Sequence, residues 1–227
     1  MFSDYPTDEV FNKIYHDLGF QSLFTFDPIF MKTIESPSDL LDNLEIRHWE
    51  NLFASRSNRA LIAMTFTKFY LDKGIPDDPY FISPGKNGVS IEYFPKFEKK
   101  HFVRHMAFNY HSDFFFHQAF SAIDTIGHLL FLQFSLPLNQ REKISYHTAI
   151  RKLASMDEKD LATKLKEITD SAHFQLASSI RNDSTHNHPH TRVNSGIEKH
   201  NGTISFGVGK YTSCKKIFEV IVTANAN

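Results

Sequence analysis

The chain has 227 residues, 41% hydrophobic and 22% charged, with 23 phenylalanines against one tryptophan and a formal net charge of −1. That much apolar and aromatic area fills a sizeable core or a subunit interface and excludes a disordered chain, while the near-zero net charge excludes a global field that draws the protein to nucleic acid. No apolar run approaches the roughly 18–20 residues that span a bilayer, so no membrane insertion is expected.

The charge is uneven. Residues 1–138 carry 12 Lys and Arg against 17 Asp and Glu, whereas residues 139–227 carry 13 against 9. A modestly basic C-terminal part can contact phosphates locally. Met1 to Val10 is acidic and polar, without the basic start and apolar stretch of a signal peptide. The single cysteine, Cys214, cannot form an internal disulfide and fits a reducing compartment. The expected location is cytoplasmic, where the Asn-x-Ser/Thr matches at Asn182 and Asn201 carry no glycan.

The first predicted helix runs from Asp39 to Leu71, started by Pro37 with Ser38 or Asp39 and stopped by Asp72-Lys73-Gly74-Ile75-Pro76. Phe81-Ile82 and Val89 to Tyr93 flank a Ser-Pro-Gly-Lys-Asn-Gly turn and predict a small β-hairpin. A long helix follows from about Phe102 to Phe134, apolar nearly all round in its second half and therefore buried on most sides. Asn139-x-x-Glu142 has the form of a capping box for a short helix to about Leu153, and Ser155-x-x-Glu158 for the next. That helix carries Leu161, Leu165, Ile168, Ala172, Leu176 and Ile180 in one amphipathic stripe that leads straight into Arg181. A polar, histidine-rich stretch spans Asn182 to Gly202, residues 203–209 alternate as an extended run does, and a last helix is expected over about Tyr211 to Ala224. The fold class is all-α, an antiparallel helical bundle. Residues 1–97 form an N-terminal helical and β-hairpin region packed on a helical domain of residues 98–227.

The most informative segment is Arg181-Asn182-Asp183-Ser184-Thr185-His186, an Arg-Asn-x3-His pattern at a helix end. It resembles the signature of HEPN domains, Arg-x(4–6)-His with a polar residue after the arginine, set between an upstream long aromatic helix and a further helix. The resemblance covers about residues 100–227 and is similar to bacterial subfamilies with an N-terminal extension. It implies a homodimeric, metal-independent endoribonuclease of toxin or phage-defence type that cleaves single-stranded RNA through its own 2′-hydroxyl. Its partners are then RNA, a second subunit and a protein or nucleotidyltransferase-type antitoxin, with no membrane and no DNA specificity, and it needs no cofactor. By the resemblance His186 is the general acid/base, Arg181 stabilises the phosphate, and Asn182 orients His186 or the substrate. Some toxin subfamilies carry Tyr two residues after the histidine, where this chain has His188.

The chemistry of the residue types agrees. Histidine titrates near neutral pH and shuttles protons, arginine stays charged and matches phosphate oxygens with a fork of donors, and neither role needs a metal. Other readings stand beside it. Arg181 at a helix C-terminus is favoured by the macrodipole alone. His186, His188 and His190 alternate as a metal clip does, with Asp183 the one obvious carboxylate partner. On the long helix Asp113, His117, Ser121, Asp124 and His128 share one face, as a solvated stripe or as the border of the cleft, with Asp124 orienting a base. The alternatives to an RNase are a catalytically silent HEPN module binding RNA, a nucleotide or a protein, and a metal-binding regulatory protein.

Overall fold

The computed structural model describes residues 4–19, 33–193 and 211–224, and as backbone strands residues 195–200 and 203–208. Asn201, Gly202 and Gly209 of the sequence reading lie outside the described residues.

Helix α1, Asp8–Asp17, was not expected; the Thr7 side chain caps it and Asp8 and Glu9 face its positive end. Helix α2 spans Pro37–Asp72. Its cap is Ser36, two residues before Ser38 and three before Asp39, the expected starts: the Ser36 side chain accepts from Asp39 N–H, and the Asp39 carboxylate accepts from Ser36 N–H at 2.8 Å. Asp39 is therefore the return arm of a capping box, and Pro37 sits in the first turn where its missing N–H costs nothing. Strands β1, Phe81–Ile82, and β2, Glu92–Tyr93, form the expected hairpin in antiparallel register.

Helix α3, Lys99–Gln133, runs antiparallel to α2 over most of its length. The cross-helix contacts fall in descending register. Trp49 stacks on His128 at 3.7 Å, Arg56 donates to Thr125 Oγ1 at 2.5 Å, Phe66 stacks on His111 at 4.6 Å, and Arg104 donates to the Lys73 carbonyl at 2.5 Å. One core is built from residues 60–70 of α2, Phe108, Phe115 and Phe116 of α3, and residues of the two last helices.

A second core closes the far end of α3. It gathers Phe131, Leu136, Tyr146, Ile150, Leu153 and Ala162 from α3, helix α4 (Tyr146–Ala154) and helix α5 (Lys159–Asp170). Helix α4 seats its N-terminus on Gly127, where an added Cβ would lie 2.5 Å from Tyr146 N. Two expectations are corrected here. Asn139 and Glu142 do bond reciprocally, but as a turn, because Glu142 is drawn across to Arg151 and Lys152; Ser145 caps α4 instead. Ser155 ends α4 rather than opening α5, its hydroxyl donating to the Lys152 carbonyl at 2.7 Å.

The predicted stripe from Leu161 to Ile180 is also divided. Ser171 leaves the helix at ψ 142 and caps helix α6, Ala172–His186, by accepting from Phe174 N–H. Serine competes for backbone donors in this way and favours caps over helix interiors. Beyond α6, strands β3 (Ser195–His200) and β4 (Thr203–Val208) pair as a second hairpin, of which only the β4 half was legible. Helix α7, Cys214–Ala224, buries Cys214, Ile217, Val220 and Ile221 in the first core. Among the described residues no helix is long and apolar enough to cross a membrane.

Candidate active site

Helix α6 packs through Ala177 and Ile180, each 3% exposed, and Arg181 follows directly. The guanidinium of Arg181 lies over the Phe120 ring of α3, 6.0 Å from its centroid, and its Nη1 donates to Asn182 Oδ1 at 2.9 Å. Its Nε is buried and has no hydrogen-bond partner, and among the described residues no carboxylate pairs with it. Arg181 is thus placed by packing, not by charge pairing. Asn182 is engaged with Arg181 rather than with His186.

His186 is the last residue of α6, exposed, and among the described residues its ring makes no hydrogen bond. It stands five positions after Arg181, which puts the two about 140° apart around the helix. The intervening residues fasten this end down. Ser184 Oγ donates to Asp113 Oδ1 of α3 at 2.9 Å, and Thr185 Oγ1 donates to the Arg181 carbonyl. Burial pushes the Asp113 carboxyl up, partly offset by the Ser184 bond and by Arg192 and His117.

The histidines divide. His190 lies 2.7 Å from Asp183 through Nε2 and 3.3 Å from Thr212 Oγ1 through Nδ1, so it ties the loop after α6 to the start of α7. The Asn187 hydrogen bond first, and then His190, hold Asp183 below the usual carboxylate range, against burial acting the other way. His188 is exposed. The alternating clip of His186, His188 and His190 is not assembled, because Asn187 leaves the helix and Asp183 draws His190 back; among the described residues, Asp77, His105 and Cys214 are what gathers as a metal-ligand group.

A cavity of about 650 Å³ opens beside the motif, lined among others by Asn109, Tyr110, Asp113, Phe114, His117 and Arg192. Arg181 and His186 do not line it; the link is the Ser184–Asp113 bond. Of the stripe on α3, His117 is exposed and reaches this cavity with Asp113. His128 instead stacks on Trp49, and burial together with Arg56 lowers its pKa. Asp124 is exposed and bonds to neither Arg181 nor His186.

Sequence reasoning did not reach a second group. Asp77, between α2 and β1, His105 of α3 and Cys214 of α7 are 4%, 8% and 0% exposed. Asp77 Oδ2 accepts from Cys214 N–H at 2.7 Å and from the Tyr211 hydroxyl at 2.6 Å, and that hydroxyl lies 3.2 Å from His105 Nε2.

A long antiparallel helix pair closed by shorter helices, with an Arg-x4-His pattern ending one of them, is the arrangement of HEPN domains. The family model described as HEPN_Cthe2314-like HEPN matches residues 30–225, and the chain belongs to that family. The match takes in α2 as well as the residues after 98. No curated protein and no solved structure matches the chain.

Proposed function

We propose that the protein is a metal-independent endoribonuclease acting on single-stranded RNA. The observation that carries this reading is Arg181: a guanidinium held on Phe120 and by Asn182, with no carboxylate partner and a buried Nε without an acceptor. An unmade hydrogen bond of this kind costs about 1–3 kcal/mol, and a guanidinium with no carboxylate partner is the side chain whose fork of donors suits phosphate oxygens. His186, free at the end of the same helix, takes the proton of the RNA 2′-hydroxyl or returns one to the leaving 5′-oxygen. The 2′-oxygen attacks the phosphorus, the P–O5′ bond breaks, and a 2′,3′-cyclic phosphate and a 5′-hydroxyl result.

One subunit offers one such histidine, and the second proton carrier comes from a second copy. Phe102, Met106, Tyr110 and Phe114 recur every four residues along α3 and are 54%, 54%, 67% and 37% exposed. An apolar run of this size calls for cover, and it flanks the cavity beside α6. Toxin or defence biology, with an antitoxin as partner, is the setting that the family resemblance implies.

The test is cleavage of labelled RNA in EDTA by wild type, Arg181→Lys and His186→Ala, with circular dichroism in the same buffer as the folding control. Wild type cleaves, His186→Ala loses nearly all activity, and Arg181→Lys loses much of it because a point charge does not replace a bidentate fork. A folded wild type that cleaves no RNA across varied sequences overturns the proposal in favour of a silent module that binds RNA, a nucleotide or a protein.

A further inference from the structure

We propose that Asp77, His105 and Cys214 form a three-ligand zinc site that ties the segment after α2, the first turns of α3 and the start of α7 together. The site is separate from Arg181 and His186 and does not depend on the function proposed for them. One ligand atom of each residue lies within 4.8 Å of the other two, and all three residues are buried. A thiol, an imidazole and a carboxylate converge there from three distant segments of the chain, beside the cavity that His105 lines. The mixed sulfur, nitrogen and oxygen set is the one zinc takes, and the sulfur and nitrogen select against calcium and magnesium.

The geometry around the three ligands is that of a supported metal centre. Zinc bonds of about 2.3 Å to sulfur and about 2.0–2.2 Å to nitrogen and oxygen put tetrahedral donors roughly 3.3–3.7 Å apart. Side-chain adjustment of about an ångström at most closes the group onto an ion. Asp77 is held from behind by Cys214 N–H at 2.7 Å, the type of outer contact that orients a carboxylate ligand. The Tyr211 hydroxyl, 2.6 Å from Asp77 Oδ2 and 3.2 Å from His105 Nε2, bridges the two side chains that the ion would join. Tyr80 and Phe94 pack against the Tyr211 ring at 4.7 and 5.5 Å and shield the group. Burial, and then the Asp77 carboxylate, push the Cys214 thiol up, so it holds its proton until a cation displaces it. Coordination replaces the thiol S–H bond by S–Zn and releases that proton to solvent. His105 also lines the 650 Å³ cavity, which gives the ion its way in and supplies a water to the fourth position.

The experiment uses the full chain, expressed with zinc in the medium and purified without chelator. Elemental analysis is expected to find one zinc per chain. Replacement by cobalt(II) is expected to give the near-ultraviolet sulfur-to-cobalt charge-transfer band and the intense visible bands of a four-coordinate ion. Cys214→Ser, which conserves volume, loses the charge-transfer band, and His105→Asn loses stoichiometric metal; circular dichroism establishes that each variant is folded. A variant with His186, His188 and His190 all changed to Ala keeps both metal and spectrum. A folded wild type with neither zinc nor cobalt bands overturns the proposal and leaves the group as a hydrogen-bonded latch. Metal that survives in Cys214→Ser and His105→Asn but leaves with His186, His188 and His190 overturns it equally.

Discussion

Acid should weaken this fold through His111, and the effect can be isolated. His111 lies on α3 with its ring stacked on Phe66 at 4.6 Å and on Tyr70 at 5.9 Å, both of α2. Burial holds its pKa down at about 4, against the ordinary 6.5. The unfolded chain therefore takes up a proton near pH 6.5 that the folded chain refuses until near pH 4. The stabilisation is complete above 6.5 and is lost as pH falls from 6.5 to about 4. The full shift corresponds to roughly 3 kcal/mol, but the ring keeps some solvent access, and screening reduces the effective loss at pH 5 to about 1–2 kcal/mol. At about 2–4 °C per kcal/mol for a chain of this size, Tm should drop by roughly 2–8 °C. The assay is thermal unfolding at pH 7.5 and pH 5 for wild type and for His111→Phe, which keeps the stacked ring and removes the proton site. The contributions of His105, also depressed by burial, and of Asp113, shifted the opposite way, are common to both proteins and cancel. The wild type should lose more Tm than the variant between the two pH values. Equal losses would refute the argument that a neutral His111 ring is built into the helix pair.

Gly127→Ala should lower stability by about 1–3 kcal/mol, because its Cβ meets the backbone of Ser145 and Tyr146, which cannot move without lifting α4; an unchanged Tm would contradict that seat. Asn182→Ala removes the 2.9 Å restraint on Arg181 and should reduce RNA cleavage about tenfold at unchanged Tm, the worth of one hydrogen bond to a charged group. Equal cleavage by variant and wild type would show that Asn182 does not position the guanidinium. Tyr110→Glu with Phe114→Glu puts two charges on the exposed stripe of α3 and should halve the mass found by light scattering at micromolar concentration. A wild type that is already monomeric there would count against pairing through α3.

The parts of this fold that were legible are those governed by local rules. The two long helices, the β1–β2 hairpin and α7 follow from apolar spacing and from the prolines and glycines at Gly74-Ile75-Pro76, Ser83-Pro84-Gly85 and Leu136-Pro137. The errors are also local, at positions where two residues compete for one role. Ser36 and Ser38 both suit a cap, and Ser36 took it because Asp39 answers three residues later. Ser171 breaks a stripe whose spacing is undisturbed, since α5 and α6 each bury part of it; Ile168 and Leu176, 42% and 40% exposed, are the residues that the break leaves outside. Helix α1 is short and has no fully buried residue, yet Val10, Phe11, Ile14, Tyr15 and Leu18 recur at helical spacing after the Thr7 cap, a signal the sequence reading passed over.

At the site, Arg181, Asn182 and His186 stand within six residues and could be read together. Ser184 and Asp113 are 71 residues apart, and Asp77 and Cys214 are 137 apart. Contacts of that span leave no periodicity and no motif. Only the folded chain brings Phe120 under Arg181, or the Tyr211 hydroxyl between Asp77 and His105. Asp124 and His128 share the expected helix face with His117, but α2 claims His128 through Trp49 and leaves Asp124 to solvent.

The central claim is that His186 and Arg181 catalyse attack of the RNA on itself, and the chemical nature of the cleaved end tests it most directly. A single-stranded oligoribonucleotide is incubated in EDTA with wild type and with His186→Ala purified in parallel, and the fragments are analysed by mass spectrometry. Wild type is expected to give fragments ending in a 2′,3′-cyclic phosphate, His186→Ala none above background, and neither any cleavage when the 2′-hydroxyl at the scission site is replaced by 2′-O-methyl. Fragments bearing a 3′-hydroxyl and a 5′-phosphate, or cleavage by His186→Ala equal to wild type, would contradict it.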